Sequence, residues 1–120
     1  MTSVTVTMPN LPWSKLGPNG RLHPIAKNTL VQSAIEAMLA ELVSQDAIQA
    51  PNWERAHLDI TYVASDKRRR DLDNLIACTK PWIDGLVGTV IKDDSADRLE
   101  LSARYEIGDE AKTIMKVSML

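Results

Sequence analysis

Residues 58–76 read Leu58-Asp59-Ile60-Thr61-Tyr62-Val63-Ala64-Ser65-Asp66-Lys67-Arg68-Arg69-Arg70-Asp71-Leu72-Asp73-Asn74-Leu75-Ile76, and two periodicities meet inside that stretch. Leu58, Ile60, Tyr62 and Ala64 alternate with Asp59, Thr61 and Val63, the period of a strand that runs up to Ser65. From Leu75 the apolar positions become Leu75, Ile76, Thr79, Ile83, Leu86 and Val87, a helical spacing. Pro81 falls inside that helix and is expected to kink or divide it, because proline removes a main-chain donor. Gly85 and Gly88 are expected to loosen its C-terminus.

Upstream, Val4, Val6 and Met8 alternate with threonines in a first strand that ends before Pro9. A loop from Pro9 to Pro24 holds four prolines, Gly17 and Gly20. Leu30, Val31, Ala34, Ile35, Met38, Leu39 and Leu42 then mark an amphipathic helix. Downstream, Leu99, Leu101, Ala103, Tyr105 and Ile107 alternate with charged and polar residues, Gly108-Asp109-Glu110 is a turn, and Thr113, Met115 and Val117 mark a last strand with Met119. These two strands are expected to form an antiparallel hairpin. The order β-α-β-α-β-β predicts an α/β fold, a small mixed sheet of about four strands with two helices on one face, because helical crossovers favour parallel neighbours.

Composition agrees with one domain over 1–120: 120 residues, 44% hydrophobic and 25% charged. No apolar run approaches the roughly 18 residues of a membrane-spanning helix, and the alternating N-terminus lacks the basic start and apolar stretch of a signal peptide. The single cysteine, Cys78, allows neither an internal disulfide nor a thiolate cluster, so a reduced, cytoplasmic protein is expected.

Net charge is −2, from 14 Lys+Arg and 16 Asp+Glu, yet the distribution is uneven. Lys67, Arg68, Arg69 and Arg70 form the densest basic run, and Asp71 and Asp73 follow at once. Either aspartate alone is accounted for as a helix cap or a first-turn acid. The pair beside four cations has a second reading: two carboxylates aimed at one small volume repel unless a cation lies between them, and Mg²⁺ suits such oxygen donors. Asp93 and Asp94 lie in the loop before the third strand and are expected to close on that pair. Carboxylates around Mg²⁺ beside a basic run point to phosphodiester hydrolysis, with the metal activating water and Lys or Arg holding phosphate.

The segment Asp66 to Leu75, followed by Asp84-Gly85-Leu86 and Lys92-Asp93-Asp94-Ser95, resembles the RusA family of Holliday junction resolvases, small endonucleases common in bacterial prophages. Chain length, the Pro-rich loop after the first strand and the element order resemble that family too. The resemblance implies a symmetric homodimer that binds four-way DNA junctions and nicks two strands in recombination and repair, with Mg²⁺ or Mn²⁺ as its only cofactor. It implies Asp71, Asp73 and Asp94 as catalytic, metal-holding residues, with Asp93 as a supporting ligand. A family lysine falls at Ala77 in this chain, and Lys80, one turn on, is expected to substitute. Ala96 stands where the family often has glutamine. DNA contacts are expected from Lys67, Arg68, Arg69 and Arg70, joined by Lys15, Arg21 and Lys92. The alternatives are a non-catalytic junction-binding module of the same fold, or a nuclease for other branched DNA or RNA.

The remaining chemistry-bearing residues carry no spacing signature. His23 and His57 are expected in surface or structural roles. Trp13, Trp53 and Trp82 are expected in the core or a dimer interface, and Cys78 as a buried small apolar group.

Overall fold

The computed structural model describes residues 2–18, 20–45 and 51–120. Its elements run β1 (Ser3–Met8), a 3-10 turn (Ser14–Leu16), α1 (Pro24–Ser44), β2 (Ala56–Ala64), α2 (Leu72–Leu86), β3 (Leu99–Ile107) and β4 (Lys112–Met119). The four strands form one mixed sheet in the order β1-β4-β2-β3. β4 runs antiparallel to both β1 and β2, while β2 and β3 are parallel, as the α2 crossover between them requires. The expected α/β fold and element order are present. Among the described residues no helix is long and apolar enough to cross a membrane.

The expected hairpin is not. β3 and β4 follow one another across a tight turn, but β2 lies between them. Seven of the nine positions of β2 are buried, the densest burial of any strand, so it takes the centre of the sheet. β3 keeps its polar positions in solvent and is left at the edge. The connection passes over the end of β2, where the Gly108 N–H donates to the Ala64 carbonyl at 2.8 Å.

Helix periodicity and strand alternation meet in one core. Val4, Val6 and Met8 of β1, Leu58, Ile60 and Tyr62 of β2, and Met115 and Val117 of β4 pack under Ala34, Met38 and Leu42 of α1 and Leu75, Cys78 and Leu86 of α2. The opposite face, carrying His57, Asp59, Arg104 and Lys116 in register, is polar. α1 starts at Pro24, six residues before the apolar periodicity. The His23 side chain accepts from the Ile25 N–H at 3.2 Å, and proline is tolerated in a first helical turn, where its missing donor has no intrahelical partner to lose.

α2 is undivided across Pro81, which is buried within it. Gly85 does not loosen that helix. A Cβ there would lie 2.9 Å from Met38 Cβ and Cγ, so its absence is what lets α1 and α2 approach. Gly88, at φ +86°, makes the left-handed turn that follows the helix. Trp53 and Trp82 are buried in the core, Trp13 packs at its margin, and Cys78 is buried as a free thiol.

A deep tie fixes α2 on the sheet. Tyr62 and Thr79 are both fully buried, and their hydroxyls are 2.7 Å apart. The Thr79 hydroxyl donates its one hydrogen to the Leu75 carbonyl, also at 2.7 Å, so the phenol O–H is the donor between them. Burial, opposed by that bond, pushes the Tyr62 pKa up.

Candidate functional site

The C-terminal ends of β1 and β2 emit the 9–18 segment and the basic loop 65–71 side by side. Between them lies a cleft of about 560 Å³ lined by Asn10, Trp13, Lys15, Asp66, Arg68 and Arg70. A neighbouring hollow of about 370 Å³ is bordered by Arg68, Arg69, Asp71 and Asn74. Ligands collect at this end of such sheets, because loops there are free to carry chemistry that the strands hold in place.

The basic loop is organised by Asp66. Its carboxylate accepts from the Arg68 N–H at 3.0 Å and from Arg68 Nε at 3.3 Å, and it faces the Arg70 guanidinium at 3.0 Å. Arg70, with support from the Arg68 main chain and side chain, holds the Asp66 carboxyl well below the usual range. The four cations therefore divide. Arg70 is turned inward, its side chain 17% exposed, and also bonds the Arg68 carbonyl and the Tyr105 hydroxyl. Arg68 and Arg69 stand 79% and 88% exposed, and Lys67 is exposed as well, so these three present charge to solvent. Lys15 joins them across the cleft, and Arg21 is exposed just before α1. Lys92 does not join them. It bonds Glu54 at 2.8 Å, before the N-terminal end of β2, where Arg98 also reaches Glu54.

Asp71 occupies the N-cap position of α2 in an extended conformation but makes no capping hydrogen bond. Its carboxylate turns to Arg69 at 3.0 Å. Asp73, in the first turn, accepts only from the neighbouring Asn74 N–H at 2.9 Å. Both side chains are exposed; Asp71 caps nothing, and Asp73 meets only that one first-turn N–H. Asn74 Oδ1 is turned away from solvent, packed against Gly17, and has no hydrogen-bond partner.

Asp94 comes to a different point on the same helix. Asp73, Lys80 and Asp84 share one face of α2 by helical periodicity, with Ala77 between the first two. Lys80 Nζ bonds Asp84 at 2.7 Å and also bonds Asp94 from the 93–95 loop. Asp93 Oδ1 accepts from the Asp94 N–H at 2.9 Å and so shapes the turn that presents it. The Lys80 ammonium holds the Asp94 carboxyl below its usual value against partial burial. On Lys80 itself desolvation is the largest single influence and acts downward, but the bonds to Asp84 and Asp94 outweigh it and the net shift is upward. Seven residues separate Asp73 from Lys80, roughly 10 Å along the axis. Asp94 thus joins the helix face but not the Asp71–Asp73 end of it, and among the described residues no three carboxylate, imidazole or thiol groups converge as a metal cage.

His57 bonds Ser102 at 2.8 Å and approaches Glu100 at 3.4 Å on the polar face of the sheet, and His23 caps α1; both are structural. Sequence reasoning gives no role to Asp66, Tyr105 or Asp84. Lys80 and Asp84 stand at the i,i+4 spacing of a helical ion pair, a legible signal; the Tyr105 contact to Arg70 spans 35 residues and has no local signature. No model of a known protein family matches the chain, and no curated protein matches it closely enough to count as a relative.

Proposed function

We propose that the chain is a divalent-metal-dependent endodeoxyribonuclease of the RusA type, acting as a homodimer on four-way DNA junctions. The observation that carries this reading is Asp71. It stands at the N-cap without capping, which leaves its carboxylate and that of Asp73 at the surface beside three solvent-facing cations.

The donor chemistry fits Mg²⁺ or Mn²⁺: the exposed carboxylates of Asp71 and Asp73 are hard oxygen donors, and Mg²⁺ takes one or two carboxylates and keeps water elsewhere. Asp71 and Asp73 would hold the ion, with Asp94 and its neighbour Asp93 as further acidic groups on the α2 side. A bound metal would supply an activated water and charge neutralisation at the scissile phosphate. The chain's own residues do the rest. Arg68, Arg69, Lys67 and Lys15 grip phosphates, with Arg21 beside them, and Arg70 is a positioning residue that holds the loop through Asp66. Lys80 places Asp94 and offsets negative charge on the α2 face.

A second reading, a junction-binding module without cleavage, is favoured by one observation: Asp71 and Asp94 are each paired with a cation of their own chain. Titration with Mn²⁺, read by electron paramagnetic resonance, separates the two. Nuclease chemistry predicts saturable Mn²⁺ binding in the wild type that falls about tenfold or more in Asp71→Asn and in Asp73→Asn. A wild type that leaves Mn²⁺ free at millimolar concentration contradicts it.

A further inference from the structure

The two edges of the sheet are treated differently. At β1 the Gln45 amide covers the outer main chain, accepting from the Thr7 N–H at 2.9 Å and donating to the Thr7 carbonyl at 2.8 Å. β3 has no such cover among the described residues. It runs nine residues without proline or bulge. The Ala56 N–H reaches the Arg98 carbonyl and the Gly108 N–H reaches the Ala64 carbonyl, which sets the phase of the β2–β3 ladder. Residues 98, 100, 102, 104 and 106 direct their main-chain groups at β2, so Leu101, Ala103 and Tyr105 direct theirs outward, with no partner among the described residues. The side chains of Leu101, Tyr105 and Ile107 lie on the helix-covered face but beyond the helices, 43%, 36% and 49% exposed. An unpaired edge with apolar side chains is a template for another strand.

We infer that β3 pairs antiparallel with β3 of a second copy of this chain about a two-fold axis through Ser102, joining two sheets into one. The charge pattern selects both occupant and register. Along the polar face the strand reads Arg98, Glu100, Ser102, Arg104, Glu106. Reversed about Ser102, it sets Glu100 opposite Arg104 and Arg98 opposite Glu106, so every charge meets its opposite in the other copy. Centring on Ala103 instead sets Glu100 against Glu106, centring on Leu101 sets Arg98 against Arg104, and a shift by half a residue puts charged side chains opposite apolar ones. Like charges directly opposite are unfavourable, and faces must match across a ladder.

The Ser102 register also matches the main chain. Leu101 faces Ala103 of the other copy as a hydrogen-bonded pair in both directions. The Tyr105 N–H meets the Leu99 carbonyl, the Leu99 N–H being already given to Ser95, for about six new bonds in all. Arg104 also reaches Asp59 at 2.7 Å and Arg98 reaches Glu54 at 2.6 Å, so the incoming glutamates add to arginines already held in place. The apolar positions Leu101 and Tyr105 lose their exposure to the facing strand. This deepens the homodimer of the proposed function but stands on β3 alone, and its test is independent of cleavage.

The experiment uses the full chain in two arms. In the first, light scattering gives the mass of the wild type, Glu100→Arg, Arg104→Glu and their equimolar mixture, with circular dichroism as the fold control. Each single change sets two like-charge pairs in the homodimer, so its dissociation constant rises about tenfold or more, while the mixture restores opposite charges and dimerises. In the second, Ser102→Cys is oxidised beside Arg104→Cys. At a two-fold axis the two thiols introduced by Ser102→Cys face each other in the closer, non-hydrogen-bonded geometry and cross-link, whereas the thiol introduced by Arg104→Cys faces Glu100 and does not; native Cys78 is buried. A wild type that is monomeric at about 100 µM overturns the inference, as does a dimer in which Ser102→Cys fails to cross-link. If Arg104→Glu fails to fold, the cross-linking arm decides alone. Cross-linking with cleavage absent supports the interface and counts against the nuclease reading; cleavage by a dimer that does not cross-link does the reverse.

Discussion

The Tyr62–Thr79–Leu75 chain of hydrogen bonds makes an asymmetric prediction. In Tyr62→Phe the buried phenol is removed, Thr79 still donates to Leu75, and the loss is one hydrogen bond, about 1 kcal/mol. In Thr79→Val the phenol O–H stays fully buried and loses its only acceptor, so the cost is its unmet desolvation as well, about 2–3 kcal/mol. The double change removes donor and acceptor together and should cost about 1–2 kcal/mol, below the sum of the singles, a coupling of about 2 kcal/mol. Equilibrium urea unfolding of the four proteins measures this. In heating experiments each kcal/mol corresponds to roughly 3–5 °C at this chain length. Equal costs for the two single changes, or additive costs in the double, would refute the assignment of the phenol as donor and with it the account of how α2 is held over β2.

Gly85→Ala gains helix propensity of about 1 kcal/mol but drives a methyl to 2.9 Å from Met38; overpacking of about 1–3 kcal/mol outweighs it, so urea unfolding should show a net loss that Met38→Ala in the same chain partly relieves. Lys80→Met should raise the Asp94 pKa, followed by carbon-13 NMR of the carboxyl. Because the folded value is depressed, the pair stabilises above the unfolded aspartate value of about 3.9 and loses that contribution as pH falls through the folded value; Lys80→Met should flatten acid unfolding in that window. Arg68→Gln and Arg69→Gln should each lower the slope of log binding constant against log salt for duplex or junction DNA by roughly 1, while Arg70→Gln should act through loop order and reduce thermal stability too.

How much of the molecule is legible in its sequence depends on the range of the signal. Alternation in β2 and helical spacing in α2 are local, and both elements lie where the 58–76 stretch places them. The β3–β4 hairpin does not form because a tight turn is a local signal for pairing, whereas the central position of β2 is settled by burial on both of its faces, a competition among strands far apart in sequence. Pro24 belongs to the start of α1 rather than to the loop; its place at an N-terminal helix position is a readable signal, masked by three other nearby prolines. Gly85 reads in sequence as a loosened helix end, but glycine in a helix also marks a close approach, and only the path of α1 distinguishes the two. At the site, the neighbours Asp66 to Asp73 are visible as one motif. The division of the cations into an inward Arg70 and outward Arg68 and Arg69 is not, because it depends on Tyr105 from β3.

Asp71 and Asp73 as the working end of a nuclease are tested most directly by cleavage of a labelled synthetic four-way junction, with linear duplex as control. The wild type and Asp73→Asn are compared in Mg²⁺ and in chelator. A nuclease built on these carboxylates gives paired nicks near the branch point that require the metal, spare the duplex, and vanish in Asp73→Asn while junction binding persists. A junction that is bound by the wild type yet stays intact in Mg²⁺ and in Mn²⁺ alike would contradict it and leave a binding module in its place.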